Sequence, residues 1–179
     1  MTVDLRTIKS VTELTNELRI RIYDSQFETA REYLTRLPEA LRNFMLFTDF
    51  DTEVIMGGIL TFLENSAGAY LPETIETFEA IGARENAIHL TNISNIMKSF
   101  GVTHEGLRQG FAGLEEYDIT TFEKMHGKEL NQFADAIRAA AKSLYLYEDT
   151  TREDVYELFE RYVERHREEI IAAVVTING

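Results

Sequence analysis

The sequence predicts an all-α protein, a single-domain bundle of about seven to nine helices. Three observations carry this. Apolar residues recur every three or four positions along most of the chain. Helix-opening signals, the Ser10/Glu13 and Thr150/Glu153 spacings and Pro38 and Pro72, stand where such runs begin. Glycines such as Gly82 and Gly101 stand where they end, and alternating strand patterns are scarce. At 179 residues the chain should lose about 70% of its unfolded surface on folding, so one domain over 1–179 is expected.

Ser10 and Glu13 open a first helix over about 11–23, with Val11, Leu14, Leu18 and Ile22 close to one face. Phe27, Tyr33 and Leu34 lack a period of two, so a second short helix is predicted over 26–36, with Leu37-Pro38 as break and restart. Leu41, Phe44, Met45 and Phe47 then form an amphipathic segment, and Val54, Ile55, Leu60, Phe62 and Leu63 a strongly apolar one. Gly57-Gly58 interrupts the latter; two glycines kept inside a helix predict a close helix–helix contact there. The run 65–68 reads as its end. Pro72 starts the next helix and Gly82 stops it; 84–100 forms another, stopped by Gly101. The stretch 101–118, with Gly106, Gly110 and Gly113, reads as a loop with one short helix. Beyond Gly127, Leu130, Phe133, Ile137, Ala141 and Leu144 keep helical spacing. Thr150 and Glu153 open a last helix through Val155, Phe159, Tyr162 and His166 toward Ile170. The tail 172–179 fits either a last helical turn or a short extended piece. There is no internal repeat.

Composition narrows the function. Hydrophobic residues make up 44% and charged residues 27%, a globular balance that excludes a disordered or collagen-like chain. Against 18 Lys and Arg stand 31 Asp and Glu, a net charge of −13, which disfavours direct contact with nucleic acid or anionic lipid. The absence of Cys removes disulfides, thiolate nucleophiles and Cys-based metal sites, and fits a reducing compartment. No apolar stretch approaches the roughly 20 residues of a membrane helix, and residues 1–10 carry Asp4, Arg6 and Lys9 rather than a leader's apolar core. A cytoplasmic protein is expected.

Catalytic motifs fail one by one. His104-Glu105 opens like a zinc-protease helix, but Arg108 stands where the second ligand belongs. His89, His126 and His166 share no ligand spacing and read as surface or helix-face residues. Gly106, Gly110 and Gly113 lack phosphate-loop spacing, and no serine sits in a nucleophile elbow. No enzyme, metal or cofactor is expected.

Charge distribution says more. Residues 43–83 contain no Lys, Arg or His and seven carboxylates: Asp49, Asp51, Glu53, Glu64, Glu73, Glu76 and Glu79. The helical period sets Glu73, Glu76 and Glu79 opposite Ile75, Phe78 and Ile81, an acidic stripe with no cation to relieve a repulsion of about 0.2 to 0.5 kcal/mol per pair. Glu115, Glu116 and Asp118 add further acid. These residues, with Asp49, Asp51 and Glu64, are predicted to form an acidic surface for a basic partner.

Over 37–83 the sequence resembles the bacterial DNA-mimic (DMP-type) proteins, a helical family long listed as of unknown function. The matching residues are Leu37-Pro38, Asp51, Glu53-Val54, Gly57-Gly58, Phe62, Asn65, Gly68 and Ile81-Gly82-Ala83; Met56 and Ile59 depart from the family pattern, which has Asn and Phe there. The resemblance implies an acidic, all-α, often dimeric protein that occupies the DNA-binding surface of a transcription factor or nucleoid protein. It implies a structural role for Glu53, Gly57, Gly58, Asn65 and Gly82. Thirteen charges match about 22 Å of duplex and a dimer's about 44 Å, at one charge per roughly 1.7 Å. The expected function is therefore a non-enzymatic binder of a basic DNA-binding protein that mimics the charge of duplex DNA. The alternative is an immunity or antitoxin-like protein that neutralises one toxin.

Overall fold

The computed structural model describes residues 4–32, 34–109, 121–146 and 153–178. Among them the chain is all-α and forms nine α-helices joined by short 3₁₀ turns. They are α1 (Val11–Glu32), α2 (Glu39–Glu64), α3 (Leu71–Ile81), α4 (Arg84–Phe100), α5 (His104–Gln109), α6 (Phe122–His126), α7 (Asn131–Ala141), α8 (Val155–Arg165) and α9 (Arg167–Asn178). Among the described residues no single helix is long and apolar enough to cross a membrane.

α2 is the centre. From Ala40 to Asp51 every residue except Arg42 is buried, so this half of the helix is enclosed all round rather than along one stripe. It packs on α3, α5, α7 and α9, while α3 lies against α4 and α8, α4 against α7, and α1 against α8 and α9. Aromatic residues of α2, α3 and α8 interlock: the Phe47 and Phe159 rings stack at 4.0 Å, and Phe50 meets Phe78 edge-on at 5.2 Å. The spacing 44, 47, 50, 54 in α2 thus fixes where α3 and α8 dock.

Local chemistry explains the boundaries. The Glu13 N–H donates to Ser10 Oγ at 3.3 Å, capping α1 as the sequence suggests. The break expected after residue 23 is absent: α1 continues to Glu32, and only a 3₁₀ turn, Leu34–Arg36, separates it from Pro38. Pro38 is the residue before α2 rather than its first turn. The last helix opens at Asp154, whose side chain accepts from the Glu157 N–H at 3.0 Å; Thr150 lies outside the described residues. Glu153, expected in that cap, instead caps α4 from afar, its carboxylate accepting from the backbone N–H groups of Glu85 (2.8 Å) and Asn86 (3.2 Å). The helix expected to run through His166 breaks there. Arg167 donates to the Ile8 carbonyl at 2.8 Å, and α9 turns onto α1 and α2, carrying the tail as helix.

Gly57-Gly58 also differs from expectation. Gly57 is exposed, so no neighbouring helix packs on it. The pair marks a kink in α2, where Gly58 takes φ 83°, ψ 177°, a region open essentially to glycine alone. Gly58→Ala should therefore cost about 1 to 3 kcal/mol, read as a lower urea midpoint. Gly57→Ala meets a different obstacle: its added methyl would lie 2.6 Å from the Thr61 Cβ, which no rotamer change moves.

Candidate functional site

The seven carboxylates of residues 43–83 divide into an inner and an outer set. Asp49, Asp51 and Glu64 are 8%, 5% and 7% exposed, and their expected place on an acidic surface needs correction: they lie within the fold. Asp51 Oδ1 accepts from two phenols, Tyr145 at 2.8 Å and Tyr156 at 2.9 Å. Asp49 accepts from the Tyr23 hydroxyl at 2.8 Å. Glu64 Oε1 lies 2.7 Å from His126 Nε2. Glu53 is half-buried and takes a hydrogen bond from the Asn65 side-chain amide, which ties the two ends of the kinked half of α2 together. The physical reason is α2 itself: a carboxylate on a helix enclosed all round has nowhere to go but inward, and burial requires it to find donors.

These donors come from distant segments, on α1, on α6, in the turn after α7 and on α8, so the inner acids pin separate parts of the chain to α2. Burial pushes the Glu64 carboxyl above its usual range, against the opposing pull of His126 and Arg138. Burial, reinforced by the Asp51 carboxylate, raises both phenols, Tyr156 to about 12 and Tyr145 further.

That shift has a sign. A group whose folded pKa lies above its unfolded value adds stability that is fully present below the unfolded value, here about 10, and is lost as pH rises through the folded one. Stability should therefore fall from pH about 10 toward 12 and beyond. Denaturant midpoints across that range, read beside ultraviolet phenolate absorbance, should drop less steeply for Tyr145→Phe than for the parent.

The outer set is the stripe on α3. Phe78 and Ile81 are buried and Ile75 is half-buried, while Glu76 and Glu79 are exposed. Glu73 is only half-exposed, with Oε2 enclosed and without a partner. Thr74 and Thr77, on the same helix, are buried, and Thr77 Oγ1 donates to Asn43 Oδ1 at 3.0 Å. Gly82 stops α3 in a left-handed conformation. Glu115, Glu116 and Asp118 lie outside the described residues.

Some carboxylates elsewhere are matched by cations one helical turn away, as in Glu17–Arg21, Asp135–Arg138, Glu157–Arg161 and Glu164–Arg167. Glu76 and Glu79 take no such partner among the described residues. Among the described residues no group of three or more His, Cys, Asp or Glu side chains is arranged to hold a metal ion.

Sequence reasoning missed His126, which is not a surface residue: its side chain is 3% exposed. It also missed Tyr145 and Tyr156. Their partners on α2 are about 60 to 100 positions away, and no local spacing encodes such a pairing. A family model described as DMP19-like protein matches residues 35–166, which include α2, α3 and every one of these contacts except Tyr23–Asp49. No curated protein and no solved structure matches the chain.

Proposed function

We propose, from the premise that the chain belongs to the DMP19-like protein family, that it is a non-enzymatic acidic protein that binds a basic, DNA-binding protein in place of duplex DNA. The observation that carries this reading is the outer side of α3. Glu76 and Glu79 stand exposed on a helix without a single Lys, Arg or His, in a chain of net charge −13. Unrelieved like charge one turn apart costs stability, and a basic partner recovers that cost. The two residues rise about 4.5 Å along the helix axis, the same order as the roughly 3.4 Å per charge along a DNA strand. The inner acids contribute indirectly, by fixing the frame on which α3 is presented.

The test is competition. The protein should displace duplex DNA from a captured DNA-binding protein, and the double variant Glu76→Gln/Glu79→Gln should do so several-fold less well at low ionic strength while keeping its melting temperature. The difference should shrink at physiological salt, where exposed charges are screened over about 8 Å. A partner that holds DNA and this protein at once, or a double variant that competes as well as the parent at every salt concentration, overturns the reading. Either outcome moves the weight to an immunity-type interface, in which shape outweighs charge.

A further inference from the structure

The kink at Gly58 opens a cavity of about 520 Å³ between α2, α6 and α7, a size that takes a small organic molecule. Phe122, Met125 and Ala141 line it with apolar surface; Glu64 and Arg138 bring opposite charges to the same space. Glu64 is 7% exposed. His126 occupies Oε1, which among the described residues leaves Oε2 as the carboxylate oxygen open to a donor from a ligand. Arg138 brings donors: Nη1 donates to Asp135 at 3.1 Å, its other N–H groups make no hydrogen bond among the described residues, and its charge favours the Glu64 carboxylate. A simple anion would be repelled by Glu64 and a simple cation by Arg138. A molecule carrying both charges, with an apolar body, uses every group present.

We infer that this cavity binds a small zwitterion, an α-amino acid with a large apolar side chain, its ammonium on Glu64 Oε2 and its carboxylate on Arg138. The side chain lies against Phe122 and Met125, surfaces suited to an aromatic ring. The site is separate from the α3 stripe, and its occupancy does not depend on any protein partner.

Titration of the full chain with L-phenylalanine, phenethylamine and hydrocinnamate, followed by calorimetry and by NMR, tests it. L-Phenylalanine should bind saturably. Each half-molecule, lacking one charge-assisted hydrogen bond, should bind at least about tenfold more weakly. Arg138→Gln, which removes a half-exposed guanidinium paired with Asp135 and the cation that favours the Glu64 carboxylate, should keep the parent's far-ultraviolet spectrum, weaken L-phenylalanine about tenfold and erase its advantage over phenethylamine. Glu64→Gln should instead erase its advantage over hydrocinnamate, if that variant keeps the parent's far-ultraviolet spectrum; the Arg138 arm decides where it does not. Absence of saturable L-phenylalanine binding at about 10 mM, a half-molecule that binds as well as the whole, or unchanged affinity in Arg138→Gln overturns the assignment.

Discussion

Asp51→Ala is expected to lower stability by about 3 to 5 kcal/mol, as two hydrogen bonds to a charged group at about 1.5 to 3 kcal/mol each would give. The carboxylate is 5% exposed, and a single oxygen receives both the Tyr145 and the Tyr156 hydroxyls. Truncation strands two donors, each of which costs about 1 to 3 kcal/mol when buried without a partner. Tyr156 is 45% exposed and can turn to water; Tyr145 is half-buried and sets the larger share. Asp51→Asn keeps an acceptor at the same place and should cost much less. The decisive comparison is Asp51→Ala in a Tyr145→Phe/Tyr156→Phe background, where the donors are already gone. There the substitution should cost well under half as much, because removing both partners of a buried hydrogen bond is close to neutral. Urea denaturation of the four proteins measures this coupling; equal costs in both backgrounds would mean that the phenols do not depend on Asp51.

The helices were legible because their signals are local. Ser10 caps α1, Pro72 lies in the first turn of α3, and Gly82 and Gly101 stop α3 and α4 in left-handed conformations. Errors fell where a distant contact decides. Glu153 has the right spacing to cap the helix after it, but the start of α4 claims its carboxylate, and Asp154, one residue on, does the capping. Nothing near His166 in sequence announces a break; Arg167 reaching the Ile8 carbonyl, on the far side of the chain, is what reorients α9.

The candidate site was half legible for the same reason. The absence of cations from residues 43–83 is a property of the sequence alone, and it picks out Glu76 and Glu79, which are exposed. It does not say which way a carboxylate points. A usable signal for the inner set was present: Leu41, Phe44, Met45, Leu46, Phe47 and Phe50 leave α2 no solvent face, so Asp49 and Asp51 had to be buried and paired. Their partners were beyond reach, since Tyr23, Tyr145 and Tyr156 meet α2 only once α1 and α8 have packed.

Gly68→Ala should be among the most disruptive single substitutions in the chain, although it adds one methyl group at a residue that looks like an ordinary helix end. Gly68 is buried in the 3₁₀ turn Ser66–Tyr70, which folds back on the end of α2. A Cβ there would lie 2.5 Å from the Phe62 carbonyl oxygen, 2.7 Å from that of Leu63 and 2.8 Å from the Leu63 Cα. All three are main-chain atoms of a fully buried helical turn, so no rotamer change relieves the clash, and the turn must move away from α2. That movement pulls on Asn65, whose amide holds Glu53, and on Leu71, the start of α3. Overpacking a core commonly costs about 1 to 3 kcal/mol; with backbone on both sides the loss should reach about 3 kcal/mol or more. Because α3 carries Glu76 and Glu79, the variant should also compete less well with DNA under conditions where it remains folded. A melting temperature within experimental error of the parent would mean that the turn does not lie against α2 as described.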